Sequence, residues 1–79
     1  MSKRFPAATS AEVIRILKKA GFLFKRQSGT SHAIYYRESD RKRTNVPVHA
    51  GKVIKRRTLK AILSAAGITM GEFEELRRK

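Results

Sequence analysis

The chain has 79 residues, with 19 Lys and Arg against 6 Asp and Glu, for a net charge of +13 at neutral pH. A domain of this length buries only about 60% of the surface its unfolded chain exposes, which excludes large multidomain enzymes and cofactor-bearing α/β machines and leaves room for a shallow site only. An apolar content of 41% is too high for a disordered basic tail and cysteine is absent, so the expectation is one packed domain over residues 1–79 without disulfides or thiolate metal sites.

Thr9-Ser10-Ala11-Glu12 has the spacing of a capping box, in which the Thr9 hydroxyl accepts from the Glu12 amide and the Glu12 carboxylate reaches back. Val13, Ile14, Leu17 and Ala20 then share one face at helical spacing, and Gly21 is the natural stop. Phe22 to Gln27 predicts a strand that lays Phe22 and Phe24 against that helix. Ser28-Gly29-Thr30 is turn chemistry, Ser31 to Arg37 is a second strand, and Glu38 to Lys42 is a polar hairpin connection. Arg43 to Val48 is the third strand, and Pro47 in it requires an edge or a bulge because proline cannot donate to a ladder. Three strands joined by short turns make an antiparallel meander.

After the basic run Lys52 to Arg57, the residues Thr58, Leu59, Ile62, Leu63 and Ala66 recur at helical spacing and stop at Gly67. Thr69-Met70-Gly71-Glu72 is a second capping box, opening a short segment with Phe73 and Leu76 before Arg77-Arg78-Lys79, whose cations suit a helix C-terminus. The order α-β-β-β-α with a short C-terminal helix fits an α+β domain, a three-stranded antiparallel sheet carrying its helices on one face.

No uncharged stretch approaches the roughly 18 residues of a membrane span, and no signal-peptide core follows the basic N-terminus. A cytoplasmic protein is expected, and so much positive charge selects a polyanion or an acidic protein as partner. The clusters Lys25-Arg26, Arg41 to Arg43 and Lys52 to Arg57 form together a phosphate-binding footprint, although each alone is an ordinary solvated face. Tyr35 and Tyr36 are candidates for base stacking, but adjacent strand residues face opposite ways, so one of them belongs to the core.

Chemistry based on carboxylates is poorly provided for. Glu12 and Glu72 read as caps and Glu38 and Asp40 as hairpin residues, leaving no converging set of hard ligands for a two-metal nuclease. Two histidines without cysteine do not make a zinc site, and there is no phosphate-cradling glycine loop, so no metal and no small-molecule cofactor is expected. His32 opens a strand after a flexible turn, and an imidazole, which titrates near neutrality, suits proton transfer there. Alternation puts His32, Ile34 and Tyr36 on one face and Ala33 and Tyr35 on the other, so His32 can equally be a hydrogen-bonded core residue, and the strand pattern by itself favours that reading. His49 reads as an exposed or cap-forming loop residue.

The string Gly21-Phe22, then Arg26 to Tyr36 with Ser31-His32 at the strand opening, then Val46-Pro47-Val48-His49 and Thr58-Leu59-Lys60-Ala61-Ile62-Leu63 ending in Ala66-Gly67, resembles the HicA toxins. These are small ribonucleases of toxin–antitoxin pairs that cleave messenger RNA and are neutralised by a HicB antitoxin. The chain departs from the family's usual Gly-Ser-His in the intervening Thr30. The resemblance implies a double-stranded-RNA-binding-like α-β-β-β-α fold, a catalytic role for His32, an mRNA substrate and a HicB-like antitoxin as partner. It reverses the reading of His32 that the strand pattern favours. Lys25, Arg26 and Arg37 flank the His32 strand in sequence and are the expected phosphate contacts. A non-catalytic basic RNA-binding module and an inactive toxin fit the same charge and fold.

Overall fold

The computed structural model describes residues 8–29, 31–48 and 53–78. Thr30, His49 and the N-terminal residues 1–7 lie outside them. The elements run β1 (Ala8–Thr9), α1 (Ser10–Lys19), β2 (Leu23–Ser28), β3 (His32–Arg37), β4 (Lys42–Pro47), β5 (Val53–Ile54), α2 (Arg56–Ala66) and α3 (Met70–Arg78). Strands β2, β3 and β4 form the expected antiparallel meander in that order.

One face of this sheet is the core. Ala33, Tyr35 and Val46 pack there against Val13, Ile16 and Leu17 of α1, Leu59, Ile62 and Leu63 of α2, and Phe73 of α3. Burial of these side chains is the main favourable term, at about 25 cal/mol per Å² of apolar surface removed from water. Directed bonds then set the position of the helices. The buried Thr44 hydroxyl donates to the Ile62 carbonyl at 2.9 Å, fixing α2 along β4, and the Ser10 hydroxyl donates to the Pro47 carbonyl, fixing the start of α1 at the other end of that strand.

The two capping boxes behave differently. Thr69 and Glu72 complete theirs, with the Glu72 amide donating to Thr69 Oγ1 at 3.1 Å and the Thr69 amide donating to Glu72 Oε1 at 2.8 Å. At α1 the Glu12 amide donates to Thr9 Oγ1 at 3.2 Å, but the Glu12 carboxylate turns away to accept from Arg77 Nε at 2.9 Å. A charge-assisted bond to α3 replaces the local one, and it ties the first helix to the last.

Two further features depart from expectation. Ala8–Thr9 and Val53–Ile54 pair as a small antiparallel ribbon that joins the chain entering α1 to the chain entering α2, and α2 begins at Arg56 rather than Thr58. Phe24 does not join Phe22 in the core: Phe22 is fully buried, whereas Phe24 sits on edge strand β2, 53% exposed, with its ring meeting Tyr35 edge-on at 5.8 Å. Gly67 ends α2 in the left-handed region (φ 70°), the conformation that favours glycine at this position.

Candidate functional site

The face of the sheet opposite the helices is where the chemistry-bearing side chains gather. Cross-strand pairing sets His32 against Pro47, Ile34 against Asn45 and Tyr36 against Arg43 on this face, while Ala33–Val46 and Tyr35–Thr44 occupy the core face. His32 is exposed and Ala33, next to it, is buried. The core reading of His32 is thereby overturned, because the alternation that buries Ala33 and Tyr35 directs His32 to the helix-free side.

A bulge in β2 brings two basic side chains to the same side. The register shifts between Phe24, opposite Tyr35, and Arg26, opposite Ile34, leaving Lys25 as the extra residue. Arg26 thus lies diagonal to His32 on the open face, roughly 7–8 Å away between backbones. The Lys25 ammonium crosses the Tyr36 ring at 4.9 Å from its centroid, a cation–π contact. Tyr35 is the core member of the tyrosine pair, and burial pushes its phenol pKa up.

His32 also stands at the rim of an open depression of about 510 Å³ that runs along the free edge of β4. Arg43, Asn45 and Pro47 supply its sheet side. Thr58, Ala61 and Ala65, at positions i, i+3 and i+7 of α2, supply its opposite wall. The depression exists because α2 is held at a set distance by the Thr44–Ile62 bond and carries two methyl side chains where larger ones would close the gap. Arg43 and Asn45 are exposed; the sequence places Arg43 in the basic cluster Arg41 to Arg43 and does not single out Asn45. Their signal was present in alternation from Pro47, but only the cross-strand register relates them to His32.

Arg37, expected as a phosphate contact, stands apart from His32. It lies five residues from His32, roughly 17 Å along the strand, and on the core side. Its Nε and Nη2 donate to both Asp40 carboxylate oxygens at 3.0 and 2.7 Å, its Nη1 donates to the Ala20 carbonyl at 2.7 Å, and its guanidinium lies 4.5 Å from the centroid of the Phe22 ring. The hydrogen bond from Arg37 holds the Asp40 carboxyl below its ordinary value, helped by the Lys42 amide, and the same bond raises the Arg37 guanidinium. Four of the five guanidinium N–H donors are engaged, by Asp40 and by the Ala20 and Ala66 carbonyls, which ties Arg37 to the end of α1 and to the β3–β4 turn.

Among the described residues no three His, Asp or Glu side chains gather as a metal cage would require. No helix among them is long and apolar enough to cross a membrane.

A family model described as the HicA toxin of bacterial toxin–antitoxin matches residues 10–68, from the start of α1 to the residue after Gly67. That span contains the whole meander, α2, and every side chain named around the depression. A comparison with curated proteins finds no match.

Proposed function

Since the chain belongs to the HicA family of toxins of bacterial toxin–antitoxin pairs, we propose that it is an endoribonuclease that cleaves messenger RNA with His32 as its catalytic residue and is silenced by a HicB-like antitoxin. The observation that carries this reading is the exposed imidazole of His32 on the helix-free face, diagonal to Arg26 and on the same face as Arg43, in a chain of charge +13. A basic face holds an RNA backbone through phosphate contacts. His32 then takes the proton of a ribose 2′-hydroxyl as that oxygen attacks the adjacent phosphorus, and the departing 5′ oxygen takes a proton from water. Arg26, with Arg43 and Lys25 further out, stabilises the charge that builds on the phosphate oxygens, the kind of preorganised electrostatic help that is worth most in the transition state.

The mechanism runs through side chains and needs no metal or cofactor. Glu12, Asp40 and Glu72 are each engaged in a structural hydrogen bond, to Arg77, Arg37 and Thr69 respectively, which supports a metal-independent reaction. The antitoxin is expected to be acidic and to cover the His32 face, excluding RNA sterically, because charge complementarity steers such a pair together rapidly.

The test is incubation of the purified protein with end-labelled single-stranded RNA, with and without excess EDTA, beside His32→Ala. Cleavage that survives the chelator and vanishes in the variant supports the reading. Equal RNA affinity with no cleavage by the natural chain identifies a non-catalytic binding module instead. Cleavage lost in EDTA and restored by a divalent ion removes the metal-free mechanism.

A further inference from the structure

The depression beside His32 is larger than phosphate chemistry requires, and its lining is of a different character from the basic face. Asn45 and Thr58 are exposed, one on each wall, and the described structure gives neither side chain a hydrogen bond. The methyl groups of Ala61 and Ala65 share the α2 wall with Thr58, and Arg43 stands on the sheet wall two residues from Asn45. An apolar wall with a few polar groups is how a pocket binds a flat heterocycle, the apolar wall taking its face and the polar groups its edge. A phosphate alone would find little use for the alanines.

We infer that this depression is a subsite for one unpaired purine base of the RNA, next to the phosphate at His32, with Asn45 and Arg43 reading its edge. The inference rests on the reading of the His32 face as the RNA-cleaving face. Three observations select the occupant. Asn45 lies diagonal to His32 across the β3–β4 pair, roughly 7–8 Å away between backbones, so both side chains are placed to address one nucleotide. Asparagine donates and accepts at once, a pattern matched by the N6 and N7 edge of adenine, and arginine pairs in the same bidentate way with O6 and N7 of guanine. Both partners are purines. The open form of the depression admits a base splayed out of a single strand, which is how RNA sequence is ordinarily read, whereas a base inside a duplex keeps its face stacked.

The probe is a set of four pentanucleotides, UUXUU with X as A, G, C or U, in which every ribose carries 2′-fluoro so that no hydroxyl is present to attack. Dissociation constants are measured with the natural chain, Asn45→Ala and Ala61→Leu, together with NMR shifts of the Asn45 side-chain amide and the Ala61 and Ala65 methyls. The purine pentamers should bind about tenfold more tightly than UUUUU, the scale of one bidentate base contact. Asn45→Ala should remove the advantage of adenine and leave that of guanine, and Ala61→Leu, which fills the depression from the α2 wall, should remove both. Equal affinity for all four, or shifts confined to residues outside the depression, would overturn the subsite. Because the pentamers cannot be cleaved, the outcomes separate: purine preference in a protein that cuts no RNA keeps the subsite and removes the catalytic reading, and His32-dependent cleavage with four equal affinities does the reverse.

Discussion

Strand β3 carries a basic residue at each end, and the two have opposite fates. At the C-terminal end Arg37 faces the helices and is enclosed by the Ala20 carbonyl, both Asp40 oxygens and the Phe22 ring. At the N-terminal end His32 faces away from the helices and is exposed beside an open depression. One end of the strand stabilises the fold, and the other is left available for a ligand. The difference follows from parity: five steps along a strand with a two-residue period change the face. Proximity in sequence to a candidate catalyst therefore says little about which cations share its surface.

The sharpest way to break this contrast is to delete each end in turn. His32→Ala should lower RNA cleavage by about 10²–10⁴-fold, the usual scale of general acid–base help, with the melting temperature nearly unchanged because an exposed side chain is removed. A large loss of stability in that variant would mean that the imidazole has a structural role after all. Arg37→Ala should behave in the opposite way, lowering the melting temperature measurably, chiefly through loss of the part-buried bond to the Ala20 carbonyl and of the contact with the Phe22 ring, since the ion pair with Asp40 is exposed and screened. Arg37→Lys should recover little, since an ammonium cannot reproduce the two-oxygen fork on Asp40. If Arg37→Ala instead melts normally and binds RNA poorly, the assignment of the two ends is inverted.

A smaller effect is expected on the open face. Arg26→Ala should weaken RNA binding alike for all sequences and reduce the slope of log K against log salt by about 1, the signature of one phosphate contact. Arg26→Glu should weaken both RNA and antitoxin, and the two should compete in a fluorescence displacement assay. A ternary complex with RNA still at His32 would remove the masking mechanism.

The smallest effect is in pH. The folded state holds Asp40 below its ordinary pKa, chiefly through the Arg37 bond, so the unfolded chain takes up this proton first as pH falls. The contribution is thus fully present above the unfolded value of about 3.9 and is lost progressively as pH drops through the lower folded value. Thermal melts between pH 3 and 6 should show stability declining at the acid end, and Asp40→Asn should flatten that decline.

Much of this architecture was legible because it is local. The Thr69–Glu72 box, the Gly67 stop and the period-two strand between Ser31 and Arg37 depend on residues a few positions apart, and each forms where the pattern puts it. Glu12 shows where that reasoning fails. Its carboxylate has the same local option as that of Glu72, yet Arg77, 65 residues away, takes it. The ribbon Ala8–Thr9 with Val53–Ile54 was illegible for a related reason: two residues per strand are too few to show a period, and only the packing of α1 and α2 brings them together.

The amino-acid sequence by itself determined the α+β class, the meander, the strong positive charge and the alternation that separates His32 from Ala33 and Tyr35. All of these arise from spacing and composition, which act within one element or over the whole chain. The tertiary structure alone decided which face the helices cover, and so which parity of β3 meets solvent. It also placed the β2 bulge that turns Arg26 to the His32 side, and it set α2 against the edge of β4 to create the depression with Arg43 and Asn45. Register and layer packing are relations between elements, chosen by the burial of the core as a whole, and a linear pattern of residues carries no coordinate for them.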